Sequence, residues 1–139
     1  MPVSLDFDIT YNFDTLEPGI TVPAILVYGD REVTVPAKID TGSTDCIFER
    51  KYADNLKIEI ESGEKTFFGA ATGSFSTFGH ELTVVVLGIK IYAKIYFIEE
   101  EGIHRNVLGR SGFLNLVRFG LIDYEGKLFL NSYSEKSDY

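Results

Sequence analysis

Hydrophobic and polar residues alternate along several stretches of the chain with the period of two that is typical of β-strands. Residues 21–28 and 31–39 are two such β-rich runs, and Gly29-Asp30 between them is a two-residue sequence typical of a tight hairpin turn. The apolar residues of the second run share one face of a strand: Val33, Val35, Ala37 and Ile39. We therefore expect a hairpin that carries the next residue, Asp40, at its exit.

A second pair of β-rich arms, residues 64–68 and 74–78, flanks the small residues 69–73. Small residues permit a flexible hairpin tip, so this segment is interpreted as a mobile flap. Two further runs, residues 81–86 and 89–98, flank Leu87-Gly88 and predict another hairpin.

Helices are predicted to be few and short. Residues 47–56 contain good helix formers without Gly or Pro and predict one short helix at most, and residues 111–117 are a second candidate. Residues 119–123 and 127–130 predict a last hairpin around 124–126. The polar tail from residue 131 onward is a candidate for disorder.

Length, net charge and cysteine content exclude several classes of function. The 139 residues suit one domain, and the net charge of −8 disfavours nucleic acid and anionic membrane surfaces as partners. Cys46 is the only cysteine, so no intrachain disulfide can form. Neither a signal peptide nor a stretch of about twenty apolar residues is recognisable. A soluble, cytoplasmic protein is therefore expected.

The strongest chemical signal is the sequence Asp40-Thr41-Gly42-Ser43 at the end of the first hairpin. Short turns of this composition are common where strands end, so the motif alone is weak. The segment Asn106-Val107-Leu108-Gly109-Arg110 adds an apolar-apolar-Gly element downstream. The two segments together are much more specific than either one.

A single carboxylate is half of the machinery that amide hydrolysis needs, because one group must take a proton while another gives one. A two-fold dimer would supply the second group without a further acidic residue, since the Asp40 side chains of the two protomers would lie next to each other at the axis. Two close carboxylates cannot both ionise and therefore share a proton, as in the dyad of aspartic proteases.

With these motifs, residues 20–131 resemble the single-domain, retropepsin-like aspartic proteases of the retroviral type. The resemblance includes the flap and the Leu87-Gly88 hairpin. It implies an all-β fold with one or two short helices, an acid-protease-like β-barrel that is half of a homodimer. Residues 1–19 are then an N-terminal extension or outer strand, and residues 132–139 a polar tail.

The resemblance also implies roles for individual residues. Asp40 is the catalytic aspartate that activates water, and Thr41 locks the two loops together across the dimer axis. Gly42 gives the loop its tight turn and lets a polypeptide substrate approach. With Ser43, the flap residues are expected to bind an extended, hydrophobic segment of substrate as an added strand; these flap residues are Ala70, Ala71, Thr72 and Gly73.

Two departures from the family pattern stand out. Retroviral members usually have an acidic residue two positions beyond Gly42, where this chain has Thr44 followed by Asp45, which leaves open the partner of Arg110. Arg110 itself is interpreted as a structural ion-pair residue rather than a catalytic one. The segment 2–20 is also longer than a minimal retroviral enzyme requires. It has three open roles: to cover the cleft, to be a cleavable extension or to add a strand.

Rival interpretations are weaker. Cys46 is read as a small core hydrophobe, with redox control as the alternative. His80 and His104 lie far apart without a third ligand, so no metal and no cofactor are expected. Ser43 and Ser111 have no obvious His partner, which disfavours a serine hydrolase. The glycine-containing flap lacks the Lys of a phosphate-binding loop, which disfavours nucleotide binding. The serious alternative to an aspartic endopeptidase is a catalytically silent dimer that binds peptides or acts in assembly.

Overall fold

A computed structural model describes residues 1–71 and 73–133, which form ten strands and one α-helix. Thr72 and residues 134–139 lie outside the described residues. The strands are β1 (Ile9–Asn12), β2 (Ile20–Tyr28), β3 (Arg31–Ile39), β4 (Ile47–Phe48), β5 (Glu64–Ala70), β6 (Gly73–Val86), β7 (Ile89–Ile98), β8 (Val107–Leu108), β9 (Val117–Ile122) and β10 (Lys127–Ser132). Helix α1 spans Arg50–Asn55.

The larger sheet closes into a barrel. Its strand order is β2-β3-β8-β4-β7-β6-β5, and β2 also pairs with β6, which joins the two sides of the sheet and leaves β5 outside the ring. Closure pairs the edge that β2 would otherwise expose, and β5 remains as an edge strand. The all-β fold class predicted from the sequence is confirmed.

The first and third hairpins have the predicted turns. Tyr28 pairs with Arg31 around Gly29-Asp30, and β6 pairs with β7 around Leu87-Gly88. Leu87 and Gly88 have φ angles of 51° and 87°, so both central residues of this turn are left-handed, which matches the right-handed twist of the flanking strands.

The flap hairpin is longer than predicted. Residues 74–78 and 81–86 were expected as separate runs, but β6 is continuous from Gly73 to Val86. Gly79 lies inside this strand, and a Cβ there would lie 2.9 Å from the ring of Tyr96. This glycine therefore permits close packing rather than ending the strand.

The short helix predicted within 47–56 is confirmed over part of that segment, whereas the second candidate is not an α-helix. Within 47–56, Ile47–Phe48 form strand β4, which pairs with Tyr96–Phe97 of β7, and only Arg50–Asn55 are helical. Within 111–117, a single 3₁₀ turn covers Leu114–Leu116. Gly112 has a φ angle of 100°, in the left-handed region, which prevents an α-helix from starting before it.

The smaller sheet has the order β1-β10-β9 and joins the first strand of the chain to its last two. Asn131 is buried, accepts a hydrogen bond from the Asp8 backbone N–H at 2.6 Å and donates one to the Asp8 carboxylate at 3.0 Å. The expectation that disorder begins at residue 131 is therefore wrong for Asn131 and Ser132, which belong to β10. The rest of the predicted tail, from residue 134, lies outside the described residues.

One hydrophobic core joins the two sheets. Leu128 and Leu130 of β10 are fully buried and belong to the same cluster as the barrel interior. That cluster includes Val22, Ala24, Leu26, Val35, Ala37, Phe48, Ile95, Phe97 and Leu108. No helix among the described residues is long and apolar enough to cross a membrane.

We expect Asn131→Ala to lower the free energy of unfolding by about 1–3 kcal/mol, because it leaves the Asp8 backbone N–H without its buried acceptor. Asn12→Ala, at an exposed position on β1, is the matched control and should change stability by no more than about 0.5 kcal/mol. Urea unfolding followed by fluorescence measures both. Equal effects of the two substitutions would contradict an anchoring role for Asn131.

Candidate active site

Asp40 is held at the barrel by backbone hydrogen bonds. It follows β3 directly, and β3 runs parallel to β8 with Ile39 opposite Leu108. The Asp40 N–H donates to the carbonyl oxygen of Leu108 at 3.0 Å, and the Lys38 N–H donates to that of Asn106 at 2.9 Å. The backbone that carries this half-buried carboxylate is therefore fixed by two strands.

The loop after Asp40 turns tightly around the carboxylate. The Gly42 N–H donates to Asp40 Oδ1 at 2.9 Å, and the Ser43 N–H donates to the Asp40 carbonyl at 3.1 Å. A Cβ on Gly42 would lie only 3.2 Å from Asp40 Oδ1. Glycine at position 42 thus lets the loop backbone approach the acid that it hydrogen-bonds.

The side chains of the loop divide between the surface and the interior. Thr41, Gly42 and Thr44 are exposed, whereas Ser43 is buried and its hydroxyl donates to the Asp45 carbonyl at 2.7 Å. The Ser43 hydroxyl is therefore committed to the loop itself. Thr41 and Gly42 lie on the open side.

The two segments singled out in the sequence are in direct contact. The N–H groups of Arg110 and Ser111 donate to the carbonyls of Ser43 and Thr44 at 2.9 and 2.8 Å. A Cβ on Gly109 would lie 2.7 Å from the Ser43 carbonyl oxygen and closer still to that of Asp45. No residue other than glycine fits at position 109 without moving the Asp40 loop.

Cys46 fills the space beneath this contact. Its side chain is fully buried, its Sγ accepts the Gly109 N–H at 3.4 Å, and the thiol lies 3.6 Å from the Ser111 carbonyl. Burial raises the pKa of the Cys46 thiol to about 12. The thiol therefore stays protonated and packs as a core residue.

The ion pair expected for Arg110 does not form within the described residues. Its side chain is exposed, and its backbone makes the contacts, with Ser43 and with the Asn115 N–H. Thr44 occupies the position where an acid would offer a partner, and Asp45 instead accepts from the Thr44 hydroxyl.

The flap is anchored beside the same strands. Phe68 and Phe75 face each other across β5 and β6 with ring centroids 6.3 Å apart. The rings of Phe68 and Tyr96 meet edge to face, with centroids 5.2 Å apart. These aromatic rings pack on a second small core of Ile47, Ile98 and Val107, contributed by β4, β7 and β8. The base of the flap and the base of the Asp40 loop thus share strands β4 and β8.

Three of the four predicted flap residues lie at the tip of the β5–β6 hairpin. Ala70 ends β5 and pairs with Gly73, which begins β6 with a φ angle of 128°, and Ala71 is exposed between them. Thr72, predicted to bind substrate, lies outside the described residues. Asp40 belongs to the β3–β8 side of the barrel and the tip to the β5–β6 hairpin.

A groove of about 530 Å³ beside Asp40 contains residues that the sequence reasoning did not select. Lys38, His104 and Arg105 line it together with Asp40. Lys38 was identifiable in principle, since it precedes Asp40 by two positions at the end of the predicted strand. His104 and Arg105 join it only because β8 runs beside β3.

Glu49 is a second residue that sequence reasoning missed. It is buried immediately before α1, and its carboxylate accepts one hydrogen bond from the side-chain amide of Asn106 and pairs with His104 Nδ1 at 3.2 Å. The Glu49 N–H donates back to Asn106 Oδ1 at 3.0 Å. This reciprocal pair fixes the segment that leads into β8. Among the described residues, no group of three or more His, Cys, Asp or Glu is arranged to hold a metal ion.

Comparison with solved structures identifies the architecture. A retropepsin-like aspartic protease from Rickettsia conorii matches with a TM-score of 0.66 at 19% identity over 88% of this chain and 97% of that one. The EIAV protease complexed with the inhibitor HBY-793 matches with a TM-score of 0.54 at 24% identity over 73% of this chain and 88% of that one. The chain has a retropepsin-like fold. No family model and no curated protein matches its sequence.

The resemblance inferred from the two short motifs is thereby confirmed at the level of fold. In this retropepsin-like chain the strands β3, β8 and β4 lie side by side, and β8 pairs parallel with β3 and antiparallel with β4. This arrangement brings the Asp40 loop against Gly109 although the two are distant in sequence.

We expect Gly109→Ala to destabilise the protein by about 3 kcal/mol or more, because the added methyl group overlaps the carbonyls of the Asp40 loop. Gly69→Ala is the matched control, since a Cβ there meets no atom within 4 Å. Thermal unfolding of both variants tests the difference. A Gly109→Ala protein as stable as the control would show that the two loops are not in tight contact.

The buried state of Cys46 predicts slow thiol chemistry. With a thiol pKa of about 12, the reaction of native protein with a disulfide reagent at pH 8 should be slower than that of guanidinium-unfolded protein. The expected difference is at least about 100-fold, because the thiolate is the reactive species. Comparable rates in the two states would revive the redox alternative.

Proposed function

We propose that this chain is an aspartic endopeptidase that hydrolyses peptide bonds as a homodimer. The observation that carries the proposal is the half-buried Asp40 carboxylate on a rigid strand end, with an exposed loop edge beside it. The similarity to solved aspartic proteases supports it through the fold. Asp40, Thr41 and Gly42 are the proposed catalytic segment.

The dimer is required by the chemistry. Hydrolysis of an amide needs a base for the attacking water and an acid for the carbonyl or leaving nitrogen. The Asp40 loop offers one carboxylate, and its neighbour Asp45 is engaged with the Thr44 hydroxyl. A second copy bound across a two-fold axis at the exposed Thr41 and Gly42 brings the missing carboxylate, and the pair then shares one proton.

The polypeptide substrate is proposed to bind in an extended form between this loop and the flap. Phe67 is 67% exposed on the flap hairpin, and Phe68 and Phe75 form the apolar base beneath the tip. These aromatic side chains suit hydrophobic segments of substrate. The contacts would come from the backbone at Gly42 and Ser43, whose hydroxyl is turned inward, and from the flap residues selected in the sequence, Ala70, Ala71, Thr72 and Gly73.

Asp40→Asn is the decisive substitution. The amide oxygen can still accept the Gly42 N–H, so the loop and the dimer should persist while the base is lost. We expect cleavage of a peptide mixture, followed by mass spectrometry between pH 3 and 8, to fall by at least about 100-fold. A statine-type transition-state inhibitor should abolish cleavage by the wild-type protein to the same extent as the substitution does.

Sedimentation of both proteins provides the control, because the variant must remain a folded dimer for the comparison to count. Wild-type activity should also fall more steeply than in proportion to dilution, since each site needs two chains. Cleavage that survives Asp40→Asn would overturn the mechanism. A folded wild-type dimer that cleaves nothing would instead favour the silent peptide-binding module.

A further inference from the structure

The groove beside Asp40 is cationic, although the chain as a whole carries a net charge of −8. Lys38, His104 and Arg105 line it, and Asp40 is the only carboxylate among its lining residues. In the proposed dyad two Asp40 side chains share one proton, which leaves about half a negative charge on each. Lys38 and Arg105 therefore give the groove a net positive charge.

The fold brings these charges together from two segments. Lys38 lies near the end of β3, Asp40 follows that strand directly, and both line the groove. The hydrogen bond from the Lys38 N–H to the Asn106 carbonyl holds the segment of His104 and Arg105 beside them. The cations are thus fixed relative to the acid by strand pairing rather than by a flexible loop.

The side chains of Lys38 and Arg105 make no hydrogen bond or ion pair with any other residue in the part of the chain that the structure describes. Arg105 Nε is buried and has no acceptor. A buried N–H donor without a partner is unfavourable, and an incoming acceptor relieves it. Arg50 contrasts with Arg105, because it is satisfied by Glu61 and by the Glu99 carbonyl.

Glu49 does not cancel this charge. Its carboxylate is not among the groove-lining groups and has a cation of its own, Lys51 Nζ at 3.8 Å, besides its contacts with Asn106 and His104. His104 is therefore already paired, whereas Lys38 and Arg105 are not. Two cationic side chains remain available to a ligand.

We propose that this groove is a subsite for the carboxylate of an aspartate or glutamate side chain in the peptide substrate. Because Asp40 itself lines the groove and an extended peptide rises about 3.3 Å per residue, the occupant is a residue that flanks the scissile bond. Guanidinium and ammonium groups bind carboxylates through charge-assisted hydrogen bonds. The inference rests on the proposed function and refines its hydrophobic substrate at this position.

The two-fold dimer gives the subsite a symmetric consequence. Each protomer contributes one groove, so an acidic side chain is favoured on either side of the cleaved bond. The flap aromatic residues still favour apolar side chains further along the peptide.

The test begins with a peptide mixture from a digested proteome, cleaved by the wild-type protein. Acidic residues should be enriched at the two positions that flank the cut. In matched peptides that differ only there, kcat/KM for Glu should exceed that for Gln by about 10-fold or more, and the advantage should shrink between 50 and 500 mM salt. Equal cleavage of the Glu and Gln peptides would overturn the subsite and leave the protease proposal intact.

Charge variants locate the preference. Lys38→Gln and Arg105→Gln should each reduce the Glu-over-Gln ratio, and the double substitution Lys38→Glu with Arg105→Glu should favour Lys peptides. Lys90→Glu changes the same charge at an exposed position outside the groove and should keep the wild-type ratio. An unchanged ratio in both glutamine variants would contradict the assignment.

Binding to Asp40→Asn separates the two proposals. Fluorescence anisotropy with labelled, extended decapeptides that carry Glu-Glu, Gln-Gln or Lys-Lys at the centre reports recognition without turnover. If the variant binds the Glu-Glu peptide most tightly and the wild-type protein cleaves no peptide, the subsite is supported and the protease proposal is refuted. Equal binding of all three peptides would refute the subsite.

Discussion

The contact between Gly109 and the carbonyl oxygens of Ser43 and Asp45 is the constraint on which the rest of the site depends. It leaves room for a hydrogen atom and nothing larger at the Gly109 Cα. The adjacent N–H groups of Arg110 and Ser111 convert this proximity into hydrogen bonds with the loop. A loop that would otherwise be an exposed turn is thereby attached to the barrel core, and Asp40 inherits a fixed position. Preorganisation of this kind suits the catalytic role proposed for Asp40.

The strands that make this contact are short and depend on their surroundings. β4 and β8 have two residues each and pair with each other only through Ile47 and Val107. Their stability comes from burial between longer strands and from the small core that they share with the aromatic residues of the flap. Packing therefore couples the rigid base of the site to the hairpin proposed to cover substrate.

Charge is distributed unevenly in this protein. The overall acidity acts at long range and is screened within about 8–10 Å at ordinary ionic strength. The groove beside Asp40 is governed instead by its own side chains, of which Lys38 and Arg105 have no partner among the described residues. The pair of Glu49 and Asn106 holds the segment that carries Arg105 in place without neutralising it. Net charge thus describes the surface of this chain poorly at the one place where the proposed chemistry occurs.

The sequence alone determined the features that rest on local periodicity and turn chemistry. Alternating apolar residues and the Gly29-Asp30 and Leu87-Gly88 turns predicted the hairpins, and the motifs at Asp40 and Gly109 predicted the retropepsin-like fold. Tertiary structure decided what depends on distant partners. Ile47–Phe48 form a strand because their backbone pairs with β7 and β8. Asn131 is ordered within β10, where its side-chain amide hydrogen-bonds with Asp8. Ser43 turned inward, and Arg105 came to lie beside Asp40, because β8 threads between β3 and β4. Local signals report the conformations that a segment favours, whereas long-range contacts choose among them.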